Sequence, residues 1–290
     1  MKKLIKASHP SLFFLSALTY SLGAGISHFL GKSTNLASFW LGLLTILPLQ
    51  VSMLLFTEYF RSAMTTIDEI ENPKQYKKFK ITLLQVSFAA LTLALVTLSI
   101  LIVAHLITLS AVVFFVFAIL LVVIYALPPF RLVNRGFGEL VLAFIVGMLF
   151  PAFSFILQYE QMHRVLTFAT FPIFLLTLAY LIVCDFPTFA SDIKTQRNSI
   201  LTRLTWARGI PMHHVLIATA YLLFAGSLFL GYPWGLVWPL VFTLPFAALQ
   251  ITLLQRVANG GSARWNLLIP LSLATLGLTV YMLTLTFWIR

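Results

Sequence analysis

The sequence predicts an all-α, polytopic membrane protein. Of its 290 residues, 60% are hydrophobic and only 9% are charged, and the mean hydropathy is +0.97. Soluble domains carry about 25% charged residues, so this chain lacks the polar side chains needed to cover a water-exposed surface. The same composition excludes a nucleic-acid-binding module and a disordered chain. A single cysteine, Cys184, excludes a disulfide framework and a cysteine-based metal cluster.

Nine apolar runs approach or exceed the length of about 20 residues with which a helix crosses a bilayer. Their side chains do not alternate with period two, so the runs predict helices rather than barrel strands. We therefore expect nine helices around a central cavity that opens to the cytoplasmic side, in one domain over residues 1–290. The predicted spans are Ser11–Phe29, Ala37–Phe60, Ile81–Ala104, Leu106–Leu127, Leu140–Leu157, Leu166–Asp185, His214–Leu230, Leu236–Leu254 and Leu267–Ile289.

The basic residues predict the orientation of these spans. Sixteen of the 19 fall in the N-terminal segment or in the loops after even-numbered spans, whereas Lys32, Arg164 and Arg290 fall on the other side. Lys and Arg accumulate in cytoplasmic loops, so the N-terminus is predicted to be cytoplasmic and the C-terminus external. The expected location is a prokaryotic plasma membrane.

The acidic residues are not explained by orientation, because Asp and Glu contribute little to it. Seven of the eight nevertheless lie on the predicted cytoplasmic side. There, acids and bases are mixed in three segments: residues 57–68 after the second span, residues 125–140 between the fourth and fifth spans, and residues 185–204 after the sixth. This mixture predicts a functional site.

Helical spacing brings the acids of these segments onto common faces. Asp185, Thr188 and Asp192 are separated by three, four and seven positions, and Glu58 and Arg61 by three. Carboxylates from two helix ends predict a site for Mg²⁺, which binds one or two carboxylates together with phosphate oxygens. Nearby bases would take the remaining phosphate charge, and apolar helices would hold a lipid tail. Together these features predict an enzyme that ionises an allylic diphosphate at the membrane boundary.

The segment between the fourth and fifth spans carries the most specific pattern. It contains Tyr125, Pro128-Pro129, Arg131-Leu132, Arg135-Gly136 and Gly138-Glu139. The order and spacing resemble the UbiA superfamily of intramembrane aromatic prenyltransferases. The closest pattern is that of the menaquinone-pathway branch, which prenylates 1,4-dihydroxy-2-naphthoate. The resemblance runs from His9-Pro10, where the family has Arg-Pro, to the ninth span.

The resemblance implies a set of roles for individual residues. The protein would bind a prenyl diphosphate and an aromatic acceptor. Its cofactor would be Mg²⁺, here as a single ion. The catalytic residues, which are also the metal ligands, would be Glu58, Asp185 and Asp192. The diphosphate would be bound by Arg61, Tyr125, Arg131, Arg135, Lys194 and Arg197. Glu139 would either pair with Arg135 or belong to the site.

The sequence departs from the family at its two aspartate-rich motifs. Thr57, Glu58 and Arg61 occupy the positions of an Asn-Asp-x-x-Asp motif, and Thr188 replaces the first Asp of the second motif, of which Asp192 remains. Two well-coordinated magnesium ions are therefore hard to build. The alternatives are a terpene cyclase on the same scaffold or a degenerate, non-catalytic relative that binds isoprenoids. A transporter ranks last, because few acids lie at mid-membrane depth.

Overall fold

The structure is a computed structural model that describes residues 9–61 and 73–290. Those ranges contain nine helices long and apolar enough to cross a membrane, as the sequence predicts. Asp68, at the end of the first mixed segment, lies outside the described residues. The helices are α1 (Pro10–Phe29), α2 (Leu36–Tyr59), α3 (Pro73–Val103), α4 (Leu109–Ala126), α5 (Gly138–Tyr159), α6 (Arg164–Asp185), α7 (Ile200–Leu230), α8 (Trp234–Ala258) and α9 (Trp265–Ile289).

Prolines explain the irregular turns inside two of these helices. Proline has no backbone N–H to donate to the helix ladder. In α5, a π-helical turn over Ile145–Leu149 comes immediately before Phe150 and Pro151. In α8, a 3₁₀ turn over Trp238–Thr243 includes Pro239 and precedes the regular part of the helix.

α5 and α6 form the centre of the bundle and are the most buried of the nine helices. α1 packs against α5 and α9, α6 packs against α7 and α9, and α2 runs along α3. The close approach of α1 to α5 depends on Gly23, because a Cβ at that position would collide with the carbonyl group of Pro151. Gly147 similarly lets α5 approach the backbone of α6 at Phe174.

Successive spans run in opposite directions, so alternate helix ends lie on the same side of the bundle. The ends of α2, α4 and α6 and the beginnings of α1, α5 and α7 therefore share one side, which we call the site face. The described parts of all three mixed-charge segments lie there, which for the first segment means residues 57–61. The other side, where α6 begins at Arg164, is called the opposite face.

Two predicted helix boundaries are wrong. α3 begins at Pro73 rather than Ile81, and α7 begins at Ile200 rather than His214. Ser199 starts α7 through a capping box, in which its Oγ accepts from the Thr202 backbone N–H at 3.2 Å and Thr202 Oγ1 accepts from the Ser199 N–H at 2.8 Å. Both helices extend past their apolar runs with polar, charged turns, which a search for apolar residues misses.

Candidate functional site

The end of α6 supplies the first part of the site. The helix ends at Asp185, and a turn leads into a short helix over Phe189–Lys194. Thr188 Oγ1 donates a hydrogen bond to Asp192 Oδ2 at 3.0 Å, which confirms that these two positions share a face. Asp185 and Asp192 are both buried, at 7% and 5% exposure. Two carboxylates are thus held out of solvent within one stretch of chain.

Arg197 is the cation that faces these acids. Its Nη1 lies 3.6 Å from Asp192 Oδ1, and its backbone N–H donates to the Asp192 carbonyl at 2.9 Å. Burial lowers the pKa of Arg197, but the charges of Asp185, Asp192 and Glu139 outweigh burial and raise it above its usual value. The guanidinium is therefore permanently charged and compensates several carboxylates at once.

Glu139 is a member of this cluster that the sequence left undecided. It lies in the first turn of α5, is 7% exposed and accepts a hydrogen bond from the Ile200 backbone N–H at 3.1 Å. Its charge acts on both Asp185 and Arg197. The alternative pairing with Arg135 is wrong, because Arg135 Nη2 donates to the Pro129 carbonyl at 2.9 Å. The sequence feature that could have assigned Glu139 to the site is its position in the first turn of an otherwise apolar helix.

Asp185 contacts a second carboxyl group. Its Oδ2 atom is buried and accepts no hydrogen bond from an N–H or hydroxyl group of the described residues. The Glu139 side chain lies within hydrogen-bonding reach of Asp185, so the two carboxyl groups can share a proton. The same buried oxygen is available as an acceptor to a cation or a water. We call Asp185, Asp192, Glu139 and Arg197 the charge cluster. With three carboxylates and one guanidinium, its formal charge is −2 when all four groups are ionised.

The end of α2 carries a separate ion pair. Arg61 Nη1 lies 3.0 Å from Glu58 Oε2, and the two side chains are 40% and 18% exposed. The Arg61 carbonyl accepts from Lys80 Nζ at 3.1 Å, which ties α2 to α3. Arg61 therefore neutralises Glu58, the residue that retains the negative charge of the first motif.

His9, which precedes α1, lies near both Arg61 of the Glu58–Arg61 ion pair and Arg197 of the charge cluster. It has a left-handed backbone conformation, with φ 46° and ψ 73°. The residue is exposed. The pKa of His9 is lowered first by desolvation from the surrounding protein and then by the positive charges of Arg61 and Arg197. Ser11 and Tyr180 are linked by a 3.3 Å hydrogen bond that holds α1 against α6. Arg61 and Arg197 thus both act on one solvent-accessible position on the site face.

Tyr125 gives a second indication that these groups converge. It lies in the last turn of α4 and is 5% exposed. The charges of Glu139, Arg197, Asp185 and Arg61 all act on it. Side chains from the end of α2, α4, α5 and the α6–α7 connection therefore lie near one another, without a direct contact between Arg61 and the charge cluster.

The other predicted diphosphate ligands lie around this region without contacting the acids. Arg131 has φ 41°, its Nε is buried with no partner in the described ranges, and partial burial lowers its pKa. The backbone of Arg135 pairs with that of Asn198, which places its loop beside the loop of Arg197. Lys194 is exposed, and the described part of the chain gives it no ion-pair partner.

The acidic residues of the site supply only part of the ligand set of a metal ion. Within residues 9–61 and 73–290, no three His, Cys, Asp or Glu side chains are close enough together to ligate one metal ion. Mg²⁺ usually takes one or two carboxylates and completes its shell with phosphate oxygens and water. The negative charge cluster and the buried Oδ2 of Asp185 suit that arrangement. They do not form a ready-made three-carboxylate site from Glu58, Asp185 and Asp192.

The comparisons with known proteins agree with this fold. No family model matches the chain, and no curated protein sequence matches it. A solved structure of digeranylgeranylglyceryl phosphate synthase is 13% identical, with a TM-score of 0.63 over 99% of this chain and 100% of that one.

Two archaeal structures are similar to the same extent. A UbiA homologue from Archaeoglobus fulgidus, bound to DMAPP and Mg²⁺, is 15% identical, with a TM-score of 0.62 over 97% of this chain and 99% of that one. The apo UbiA homologue from Aeropyrum pernix K1 is also 15% identical, with a TM-score of 0.59 over 94% and 96%. The chain is therefore a polytopic membrane protein with the fold of the UbiA homologues.

We predict that Arg197→Gln destabilises the protein at neutral pH by about 3 kcal/mol, because it leaves buried carboxylates without their cation. The loss should shrink as the pH is lowered, because a protonated carboxyl group carries no charge that needs compensation. Thermal denaturation of the detergent-solubilised protein measures both effects.

Lys194→Gln is the matched control for this prediction, since it removes a nearby, exposed charge and should leave the melting temperature unchanged. Combining Asp192→Asn with Arg197→Gln should restore part of the lost stability. Equal melting temperatures for the two single variants at pH 7.5 would show that Arg197 does not hold the cluster together.

Proposed function

We propose that the protein is an integral-membrane prenyltransferase, which moves a prenyl group from an allylic diphosphate to an aromatic acceptor. The observation that carries this proposal is the charge cluster buried where α4, α5 and α6 meet the site face. A UbiA homologue with the same fold binds DMAPP and Mg²⁺. A buried group of acids and one arginine at the membrane boundary suits a ligand with an apolar tail and a charged diphosphate head.

In this proposal, cations hold the diphosphate. Arg197 and Arg61 would grip its oxygens, because a guanidinium forms paired hydrogen bonds to phosphate. Arg197 already lies against the acids, and Arg61 has a partly exposed side chain. The exposed Lys194 and the loop residues Arg131 and Arg135 would add positive charge at the rim, and Tyr125 would line the same region.

The carboxylates would hold magnesium. Asp192 and Asp185 are the buried candidates, and Glu58 would contribute once Arg61 turns toward phosphate. When bound, Mg²⁺ supplies positive charge that stabilises the leaving diphosphate. The proposed single ion agrees with the small number of carboxylates, since Mg²⁺ needs only one or two of them when phosphate is present.

The reaction itself needs little covalent chemistry from the protein. The allylic C–O bond breaks, and its electron pair leaves with the diphosphate, whose charge Arg197 and Arg61 stabilise. The aromatic ring then forms the new C–C bond with the allylic cation and loses a proton to restore its aromaticity. An apolar environment protects the cation from water.

The apolar interior has room for part of an isoprenoid tail. A cavity of about 410 Å³ lies between α4, α5 and α6, and its walls are mostly apolar. Phe144 lies in the half of α5 that is nearer the site face, and Val113 and Met162 lie toward the opposite face. The cavity therefore supports a prenyl chain that extends away from the charge cluster.

The acceptor is proposed from the sequence pattern. The segment from Tyr125 to Glu139 matches the menaquinone-pathway branch most closely. We therefore propose 1,4-dihydroxy-2-naphthoate as the first acceptor to test, and menaquinone biosynthesis as the pathway.

One observation favours a second candidate, a non-catalytic relative that binds isoprenoids. The Glu58–Arg61 ion pair occupies the first motif, and Thr188 bonds to Asp192 in the second. Both changes reduce the negative charge offered to metal ions. A protein of this kind would retain the lipid-binding fold without ionising the diphosphate.

The deciding experiment incubates the purified protein with a panel of prenyl diphosphates, aromatic acceptors and Mg²⁺, and identifies products by mass spectrometry. We expect a prenylated aromatic product. Asp192→Asn should lower kcat/KM about 10- to 100-fold, because it removes a charged ligand worth roughly 1.5–3 kcal/mol. Glu160→Gln, which changes an acid near the opposite face, should leave the rate unchanged.

The panel also separates the alternatives. An acceptor-independent hydrocarbon or alcohol would identify a terpene cyclase. Binding of prenyl diphosphate without turnover would support the non-catalytic relative. Equal rates for the wild-type protein and Asp192→Asn would remove the charge cluster from the proposed mechanism.

We also propose that the site face is cytoplasmic, in a prokaryotic plasma membrane. The asymmetry of the basic residues supports this orientation. Reporter enzymes that are active on only one side of the membrane should place residue 1 inside and residue 290 outside. If both termini report the same side, the proposed orientation and the number of spans are wrong.

A further inference from the structure

A second cavity lies at the opposite face, far from the charge cluster. It has a volume of about 530 Å³ and is lined by residues of α6 and α7 and of the connection that follows α7. Arg164 is the first and Asp185 the last of the 22 residues of α6. At about 1.5 Å per residue, these two ends lie about 31 Å apart. The cavity therefore reaches the other membrane boundary.

One face of α6 forms a wall of this cavity. Arg164, Thr167, Phe168 and Phe171 line it at offsets of zero, three, four and seven, which place them on one side of the helix. The Phe168 ring stacks on Tyr232, with centroids 4.4 Å apart and an interplanar angle of 17°. The stacked rings of Phe168 and Tyr232 give the cavity an apolar surface next to the first turn of α6.

α7 forms the facing wall. Leu223 and Leu230 line the cavity from this side, and their side chains are 38% and 72% exposed. Ser227 also lines the cavity, but its hydroxyl donates to the Phe224 carbonyl at 2.6 Å. The wall of α7 therefore presents mainly apolar surface to an occupant.

Among the described residues that line the cavity, Arg164 is the one that carries a charge. It is exposed, and within the described ranges its side chain has no hydrogen bond or ion pair. No acid lies in the first turn of α6. The helix dipole is positive at this end and disfavours a cation there, so Arg164 does not stabilise its own helix. Its guanidinium is free to bind an anion beside an apolar groove.

We propose that this cavity is a binding site for an anionic phospholipid of the bilayer. Arg164 would bind the phosphate through paired N–H donors, and one acyl chain would lie between α6 and α7 against Phe168, Phe171 and Leu223. A soluble anion would not fill the apolar groove. A zwitterionic lipid also offers a phosphate to the guanidinium, but the cation of its headgroup offsets that charge. A single cation with no ion-pair partner in the described ranges therefore favours a headgroup with net negative charge.

Lipid binding at this cavity can be tested independently of the proposed reaction. Phosphatidylglycerol is titrated into the full-length protein in detergent, and native mass spectrometry measures the bound lipid. We expect Arg164→Gln to weaken binding of this lipid at least tenfold. Leu223→Trp should weaken it as well by filling the groove, and Leu223 is 38% exposed, so the larger ring does not enter the core. Phosphatidylcholine should bind more weakly than phosphatidylglycerol to the wild-type protein.

Lys32→Gln is the matched control, because it removes another cation on the same face, outside the residues that line the cavity. It should bind phosphatidylglycerol as the wild-type protein does. Equal binding by the wild-type protein and Arg164→Gln, or unchanged binding by Leu223→Trp, would overturn the proposal. Equal losses in Arg164→Gln and Lys32→Gln would also overturn it, since they would indicate general charge attraction. Prenyl diphosphate binding by Arg164→Gln should be unaffected, so a failure here is distinct from a failure of the proposed enzyme.

Discussion

The site depends on one constraint, which is that buried carboxylates at a membrane boundary require a cation. Asp185, Asp192 and Glu139 are each less than 8% exposed, and Arg197 is the guanidinium whose pKa their charges raise. Leaving ions unpaired in an apolar environment costs several kcal/mol each. The connection between α6 and α7 therefore has to fold back so that Arg197 reaches the acids, and that fold brings the ends of α4, α5 and α6 together.

The same constraint explains why the cluster suits a reaction. When all three carboxyl groups are ionised, one guanidinium leaves two formal negative charges uncompensated, so a divalent ion or another cation would stabilise the cluster. A proton shared by Asp185 and Glu139 would remove one of these charges. A diphosphate brings negative charge, and it binds well only if magnesium arrives with it or if Arg61 leaves Glu58. Both possibilities couple substrate binding to a rearrangement of charges within a small region.

The sequence predicted the nine apolar helices of the described ranges because apolar runs depend on local composition. From their place after the sixth run it also singled out Asp185, Asp192 and Arg197, which the structure brings close together, and their role in binding and catalysis stays a prediction. It missed the start of α7, because the capping box of Ser199 lies among polar residues. It left Glu139 undecided, since only tertiary contacts show that this acid meets Ile200 rather than Arg135. Helical spacing predicts that Glu58 and Arg61 lie side by side. It does not predict which of the two charges faces a ligand.

The most direct test of the central claim is an experimental structure with a bound ligand. A prenyl thiolodiphosphate, whose C–S bond resists ionisation, is bound in the presence of Mg²⁺ and the complex is imaged by cryo-electron microscopy. We expect the diphosphate to lie within hydrogen-bonding distance of Arg197, with density for an ion that contacts Asp192. A diphosphate that contacts neither Asp192 nor Arg197, or one bound at another part of the bundle, would show that the charge cluster is not the substrate site.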